Sequence, residues 1–501
     1  MIRKTLIALG IGVLLLALAL AALWFKYRDS ITPDLSRHAE NVWLGQADLL
    51  ANRTPGELIR YTKRRLEGHP NLETLALPPL HWLQRQYERP VPAGPLPTLG
   101  KGQQAVTLPP QQYGPTGQPI ETLPTAIPVN ALAVANLPAT AQVMVNTADG
   151  LIAATSSARP GQTIVIAPGH YRLNSRINTN APGTPSQPIT VRAAQPGQVI
   201  LEFNTEVAFR VSQPYWVFEN MHIRGVCEQH SSCEHAFHIY GAAPATVVRN
   251  NLIEDFNAHL KINGNNKLWP DHGLVQYNTL TNRSRRETDN PVTLVDLVGA
   301  NHWRVSDNLV SNFVKSSGNQ VSYGVFMKGA SSGGRFERNL VICTQQDISQ
   351  PGVRVGISFG GGTTGKDFCR DQRCAVEHTA GLAANNIVAH CNDFGIDVNN
   401  SNNILLAHNT LINTAGIDAR GAPTSARAYG NLFDGRIRVR DGAQIKSELN
   451  DPALPTTYLE NPDALNLGWR KAPDNIPSLP IVNLDFNGNS RLDGTKPGAL
   501  N

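Results

Sequence analysis

Between residues 220 and 431 apolar residues alternate with polar ones in short runs, with no helical period between them. An asparagine punctuates these runs eight times, at Asn220, Asn251, Asn278, Asn308, Asn339, Asn386, Asn409 and Asn431, with gaps of 31, 27, 30, 31, 47, 23 and 22 residues. Upstream of most of them lies a second alternating run that ends in a turn, as in AFHIYG, AHLKING, LVDLVG, VFMKGA, GISFGG and GIDVNN. Two or three short strands in each coil of this period predict a parallel β-helix, an all-β solenoid. One coil cannot bury its inner face alone, so coils stack at roughly 4.8 Å and a recurring interior asparagine can hydrogen-bond the coils above and below. The unequal gaps become loops on the side of the stack, the 47-residue gap holding the longest insertion.

The pattern changes outside this stretch. Residues 1–28 begin with Arg3 and Lys4, continue through roughly 20 apolar residues and end at Trp24, Phe25 and Tyr27, as an uncleaved signal anchor or transmembrane helix does. Residues 29–88 hold helix-compatible runs, with Thr54 and Pro55 placed as N-cap and first helical residue, and read as a helical stalk. Residues 89–140 are proline-rich and read as an extended linker. The solenoid is expected over 141–445, its first coil capped by the helical pattern of VNTADGLIAATSSA, with an irregular C-terminal cap over 446–501.

A net charge of +5 on 501 residues, without a basic helix or an aromatic-basic motif, points away from nucleic acid and suits an anionic ligand. The six cysteines can all pair locally, Cys227 with Cys233, Cys369 with Cys374, and Cys343 with Cys391 across adjacent coils, one arrangement among fifteen. Such pairing implies an oxidising compartment. With the N-terminal anchor it places the chain in a bacterial inner membrane, single-pass, with the solenoid in the periplasm.

Aligning the runs that end in Gly or Asn puts residues into columns, because side chains at matching positions of stacked strands lie one above another. One outward column reads Tyr240, Asn263, Val298, Lys328, Gly360, Asn399, Arg420; two residues earlier it reads His238, Lys261, Asp296, Phe326, Ser358, Asp397, Asp418, and a further step back brings His259. Ionisable groups concentrate over the coils from His238 to Lys328. Neighbouring insertions add His272, Arg285 and Arg286, and the whole reads as a groove.

The stretch from PGQTIVIAPGHY through PITVRAAQPGQVIL to AHLKINGN resembles the pectate-lyase-type superfamily of right-handed parallel β-helix proteins, most of all its chondroitinase B and alginate lyase branch. The resemblance implies a polysaccharide lyase in which a lysine is the base, an arginine on the next coil assists and calcium neutralises the uronate carboxylate. Lys261 matches the lysine's place; the next coil offers Asp296 where the arginine is expected, and the run EDFNAHLK shows no calcium ligands before the lysine. The expected assignment is therefore β-elimination on an acidic polysaccharide, with Lys261 and His259 as base candidates and Asp296 orienting them. Tyr240, Asn263, His238, His272, Arg285, Arg286 and Lys328 would bind substrate, Arg285, Arg286 or Lys328 standing in for the arginine. Reprotonation from the opposite face would make the same site a uronate C5-epimerase, and a non-catalytic glycan-binding or envelope-scaffold protein is the competing class. A hydrolase would rest on the Asp397 and Asp418 pair.

Overall fold

The structure is a computed structural model, and it describes residues 62, 75–80, 82–83, 99–101, 104–106 and 141–501, except 195–196, 345–351, 363, 452–454, 463–464 and 492–493. The expected anchor and nearly all of the expected stalk and linker lie outside the described residues. Among the described residues no helix is long and apolar enough to cross a membrane. The described residues from 99 onward belong to one compact unit and those between 62 and 83 to another.

Short β-branched runs separated by turn residues fold here into three parallel sheets of 12, 10 and 10 strands, ten coils giving one strand to each sheet and the first sheet gaining one more strand at either end. One coil runs Val247–Arg249, Leu252–Glu254, Ala258–Asn263, and the next repeats it at Leu274–Gln276, Thr279–Thr281, Val292–Val298. The third sheet carries the chemistry, and its strands are β1 (Ile177–Asn178), β2 (Val207–Val211), β3 (His235–Tyr240), β4 (Ala258–Asn263), β5 (Val292–Val298), β6 (Val321–Lys328), β7 (Val353–Phe359), β8 (Ile396–Asn399), β9 (Gly416–Arg420) and β10 (Arg436–Arg440). Its inward column, Phe237, Leu260, Val295, Val325, Ile357, Ile396 and Ile417, is in register through β9 and wholly buried. Each of these side chains contributes about 1.5–3 kcal/mol, so the interior is a continuous rod of apolar contacts.

The bend from first to second sheet takes one residue in the left-handed region, such as Asn250 (φ 51°), Asp307 (φ 57°), Arg338 (φ 53°) or His408 (φ 54°). An asparagine follows these bends, buried in all but the last, and the series Asn251, Asn278, Asn308, Asn339, Asn386, Asn409, Asn431, Asn450 forms a ladder. Every Nδ2 in it donates to the next Oδ1 at 2.8–3.1 Å. Each Oδ1 also accepts the backbone N–H of the preceding ladder residue, so the amide satisfies groups that the bend removes from sheet pairing. Asn220 is not a rung. It is itself the left-handed residue (φ 64°), and Met221 takes the ladder position, its N–H donating to Asn251 Oδ1 at 3.0 Å. The ladder gains Asn450 at the other end.

The helix Ala148–Ser156 starts on Thr147, whose side chain accepts from the Gly150 N–H, and it buries Leu151 in the first coil's core. All three disulfides pair as expected: Cys227–Cys233, Cys343–Cys391 and Cys369–Cys374. After Asn450, Asp451 bridges Leu432 at the end of the second sheet, and the described residues beyond it do not continue the coils. Leu459, Leu465, Leu467, Trp469, Phe486 and Leu500 instead pack along the outer face of the second sheet, against Leu309, Leu340, Ile387, Ile412 and Leu432. The last strands of the first and third sheets carry Arg436, Arg438, Arg440, Lys446 and Glu448, charges that suit an edge facing water.

Candidate active site

Insertions leave both margins of the third sheet, and between them lies a groove of about 1460 Å³ whose floor is β3 to β6. Residues 264–269 and the lobe 364–372 stand on one margin, and Asp289, Pro291, Lys315 and Asn319 on the other. Sites of about 300–1,000 Å³ take single small molecules, so a groove of this size suits an oligomeric ligand. Register fixes the floor, because His238, Lys261, Asp296, Phe326 and Ser358 are direct neighbours on successive strands, as are Tyr240, Asn263, Val298 and Lys328.

Lys261 Nζ lies 2.7 Å from Asp296 Oδ2, an ion pair between adjacent coils. Asp296 is nearly buried and its Oδ1 has no hydrogen-bond partner among the described residues. His238 Nε2 meets Asn263 Oδ1 at 2.9 Å, and Asn263 Nδ2 donates to the Gly264 carbonyl at 2.9 Å. That second bond orients the amide. Its oxygen therefore faces the imidazole, Nε2 must carry the hydrogen, and Nδ1 is left with its lone pair. Burial, and then the positive charges of Lys261 and Arg210, hold the His238 pKa below the ordinary histidine value. The ring is clamped by Tyr240, stacked at 4.9 Å between centroids, and Tyr240 is in turn covered by Arg210 at 4.8 Å.

Lys328 sits 4.7 Å above the Phe326 ring with no salt-bridge partner among the described residues, and burial lowers its pKa. His235, which the residue patterns do not single out, also faces the groove, 5.6 Å from His238 between ring centroids. Its Nδ1 is buried without a partner among the described residues, and burial with the neighbouring His238 pushes its pKa down to about 3. Tyr323 and Trp269 are equally illegible in the sequence as groove residues, since nothing in one coil's pattern says which insertion folds back over which strand. Arg370 fixes the lobe, gripping Asp271 through both Nη atoms at 2.7 and 2.9 Å and lying over the Trp269 ring. At the lobe's base buried Glu377 accepts from Gly329 N, Thr364 N and Thr364 Oγ1.

Several expected site residues lie elsewhere. His259 is completely buried outside the groove, its Nε2 3.3 Å from Asn282 Oδ1 and its pKa pushed down to about 3 by burial. Arg286 is buried against Asn257 and the His230 carbonyl, and Arg285 is exposed beside Glu287. His272 is exposed and stacks on His302. Asp397 and Asp418 are buried rather than superficial. Arg420 bonds Asp397 at 3.1 Å and Arg440 bonds Asp418 at 2.9 Å, which ties both carboxylates into an ionic cluster. Burial, offset by Arg420, raises Asp397 to about 6.

A calcium ion takes 6–8 oxygen ligands, several of them carboxylate. The one groove-floor carboxylate is already held by Lys261, its neighbours are Lys328 and imidazoles, and among the described residues no three His, Cys, Asp or Glu side chains cluster as a metal site. The donor set does not fit calcium.

Residues 133–289 match a family described as the Pel9A-like, right handed beta helix region. Among solved structures the chain is similar to pectate lyase Pel9A (13% identity over 69% of this chain and 89% of that one, TM-score 0.47). It is also similar to an alginate lyase from Paenibacillus sp. str. FPU-7 (14%, 61% and 97%, TM-score 0.38). A PL6 family polysaccharide lyase from Pseudopedobacter saltans is a third (14%, 66% and 96%, TM-score 0.34). No curated protein matches the sequence. The chain carries a right-handed parallel β-helix.

Proposed function

We propose that the protein is a polysaccharide lyase that cleaves an acidic, uronate-containing polymer by β-elimination, with His238 as base and Lys261 and Lys328 as cations. The observation that carries this reading is the cluster His238, Lys261, Asp296 and Lys328 on four consecutive strands at the floor of an open groove. Elimination across C4 and C5 needs a base at the C5 proton and positive charge beside the carboxylate as it becomes enolate-like. The ion pair keeps Lys261 Nζ engaged as a donor, so geometry favours His238 Nδ1 for the base that sequence assigns to Lys261 and His259. The C5 proton passes to Nδ1, the C4–C5 double bond forms as the C4–O bond breaks, and the imidazolium returns the proton to the leaving oxygen. Lys261 and Lys328 then do the work for which a metal would otherwise be needed.

The apolar run 1–28 and the three disulfides support an anchored chain with its solenoid in an oxidising compartment such as the periplasm. Protease accessibility in spheroplasts tests this, and a solenoid digested only after the inner membrane is breached overturns it.

The catalytic test is ultraviolet detection of unsaturated uronate ends on a panel of uronate polymers, with and without a chelator. We expect absorbance to grow with the wild type in chelator, and to fall about 10²-fold or more in His238→Ala and Lys261→Ala. The closed Lys261–Asp296 pair is the feature that favours the competing glycan-binding reading. Retained polymer binding with no absorbance on any polymer would decide for it.

A further inference from the structure

A second cleft, of about 330 Å³, opens beside the Cys227–Cys233 loop and shares no lining residue with the groove. Arg286, Arg283, His230 and Asp255 line it. Arg286 is 2% exposed, and its hydrogen bonds go to two neutral oxygens, Asn257 Oδ1 at 3.0 Å and the His230 carbonyl at 3.1 Å. Among the described residues its Nη1 has no protein acceptor, and no carboxylate lies within ion-pair distance of the guanidinium. Buried charges are ordinarily paired, because removal from water is costly unless a counter-charge returns the loss.

The one carboxylate in the cleft is already committed, since Asp255 accepts from both Nε and the backbone N–H of Arg283. Among the described residues the Nη atoms of Arg283 remain without protein acceptors, and its side chain is half exposed. His230 adds a further donor: its Nδ1 accepts the Glu287 N–H at 2.8 Å, so the hydrogen of the neutral ring sits on Nε2. Among the lining side chains two guanidinium groups stand against one carboxylate. Burial lowers the Arg286 pKa to about 10, still a cation at neutral pH.

We infer that this cleft is an oxyanion site, built for the carboxylate or sulfate of an acidic sugar, with Arg286, Arg283 and His230 as its donors. The planar fork of arginine matches both anions, and the site is independent of the reaction assigned to the groove. It gives the protein a second point of attachment to an acidic glycan, on the far side of the insertion 282–291.

Calorimetric titration of the full-length protein with sodium sulfate, with glucuronate and with glucose, against sodium chloride of matched ionic strength, tests it. Saturable binding of sulfate or glucuronate, absent with glucose and chloride, is expected, and binding of only one of the two identifies the anion. Arg283→Gln, a change at a half-exposed side chain, should weaken it at least about tenfold, the loss of one charge-assisted hydrogen bond. The saturable phase that Arg283→Gln weakens should persist in Lys261→Ala. Binding no stronger than that of chloride overturns the inference, as does binding lost in Lys261→Ala but kept in Arg283→Gln, which would place the anion in the groove. Neither result bears on whether the groove cleaves polymer.

Discussion

His238 illustrates how one amide sets a chemical role. Asn263 is anchored to the Gly264 carbonyl, its oxygen fixes the imidazole tautomer, and the free lone pair at Nδ1 results. Because burial lowers the pKa, the neutral ring persists to lower pH than an ordinary histidine. We therefore expect the acidic limb of kcat/KM to lie below about pH 6.5, and to move further below it when Asn263→Ala removes the acceptor that favours the protonated ring. A limb at or above that value in the wild type would exclude His238 as the base. Other buried histidines act on stability instead. His259, His378 and His408 are each pushed down to about 3 by burial. At His378 the ring accepts the Gly334 N–H at Nε2, which fixes the hydrogen bonded to Ser331 on Nδ1. The unfolded chain binds these protons below about pH 6.5 and the native chain does not, so stability is fully present above that pH and declines as pH falls toward 3. Urea midpoints should drop steadily between about pH 7 and 5; a flat profile would show that the imidazoles are not held neutral.

At the scale of elements, the asparagine ladder does for the bend what sheet pairing does for strands. Asn308 Nδ2 bonds the Val275 and Ser306 carbonyls and Asn339 Oδ1, while its own Oδ1 accepts from Asn278. Asn308→Ala leaves several buried groups unpaired and should cost about 2–4 kcal/mol, as the shift of a urea midpoint measures. Asn450→Ala, at the ladder's end and partly open to water, should cost less; equal losses would mean that the ladder is not cooperative along the stack. This element is nearly all legible in the sequence, because a polar residue that recurs at a coil's period amid apolar runs must sit inside the stack, where only a matching amide one coil away satisfies it. Asn220 is the exception. Asn220 and Asn250 share the left-handed bend and Asn251 the rung, so where Asn is followed by Met the sequence does not say which of two adjacent positions turns inward.

For the molecule as a whole, the stack protects its sides unequally. The second sheet presents an apolar outer face that the chain after Asn450 covers with Leu467, Trp469, Phe486 and their neighbours. Removing residues 452–501 exposes that face and should turn a dispersed protein into one that aggregates, read by light scattering. A truncated chain that stays monodisperse would show that the covering segment contributes little.

The sequence alone determined the solenoid, its coil period and the column that unites His238, Lys261 and Asp296, while the structure selected one disulfide pairing among fifteen. Parallel stacking repeats one register, so a periodic pattern carries through to three dimensions. Only the tertiary structure decided which ionisable residues face the groove. His259 shares a strand with Lys261 yet lies buried, and Arg286 opens onto a different cleft, while His235, Trp269 and Tyr323 enter from positions without a telling pattern. The insertions that make these choices are aperiodic, and their course is set by ion pairs such as Arg370 with Asp271, 99 residues apart, which no local pattern encodes.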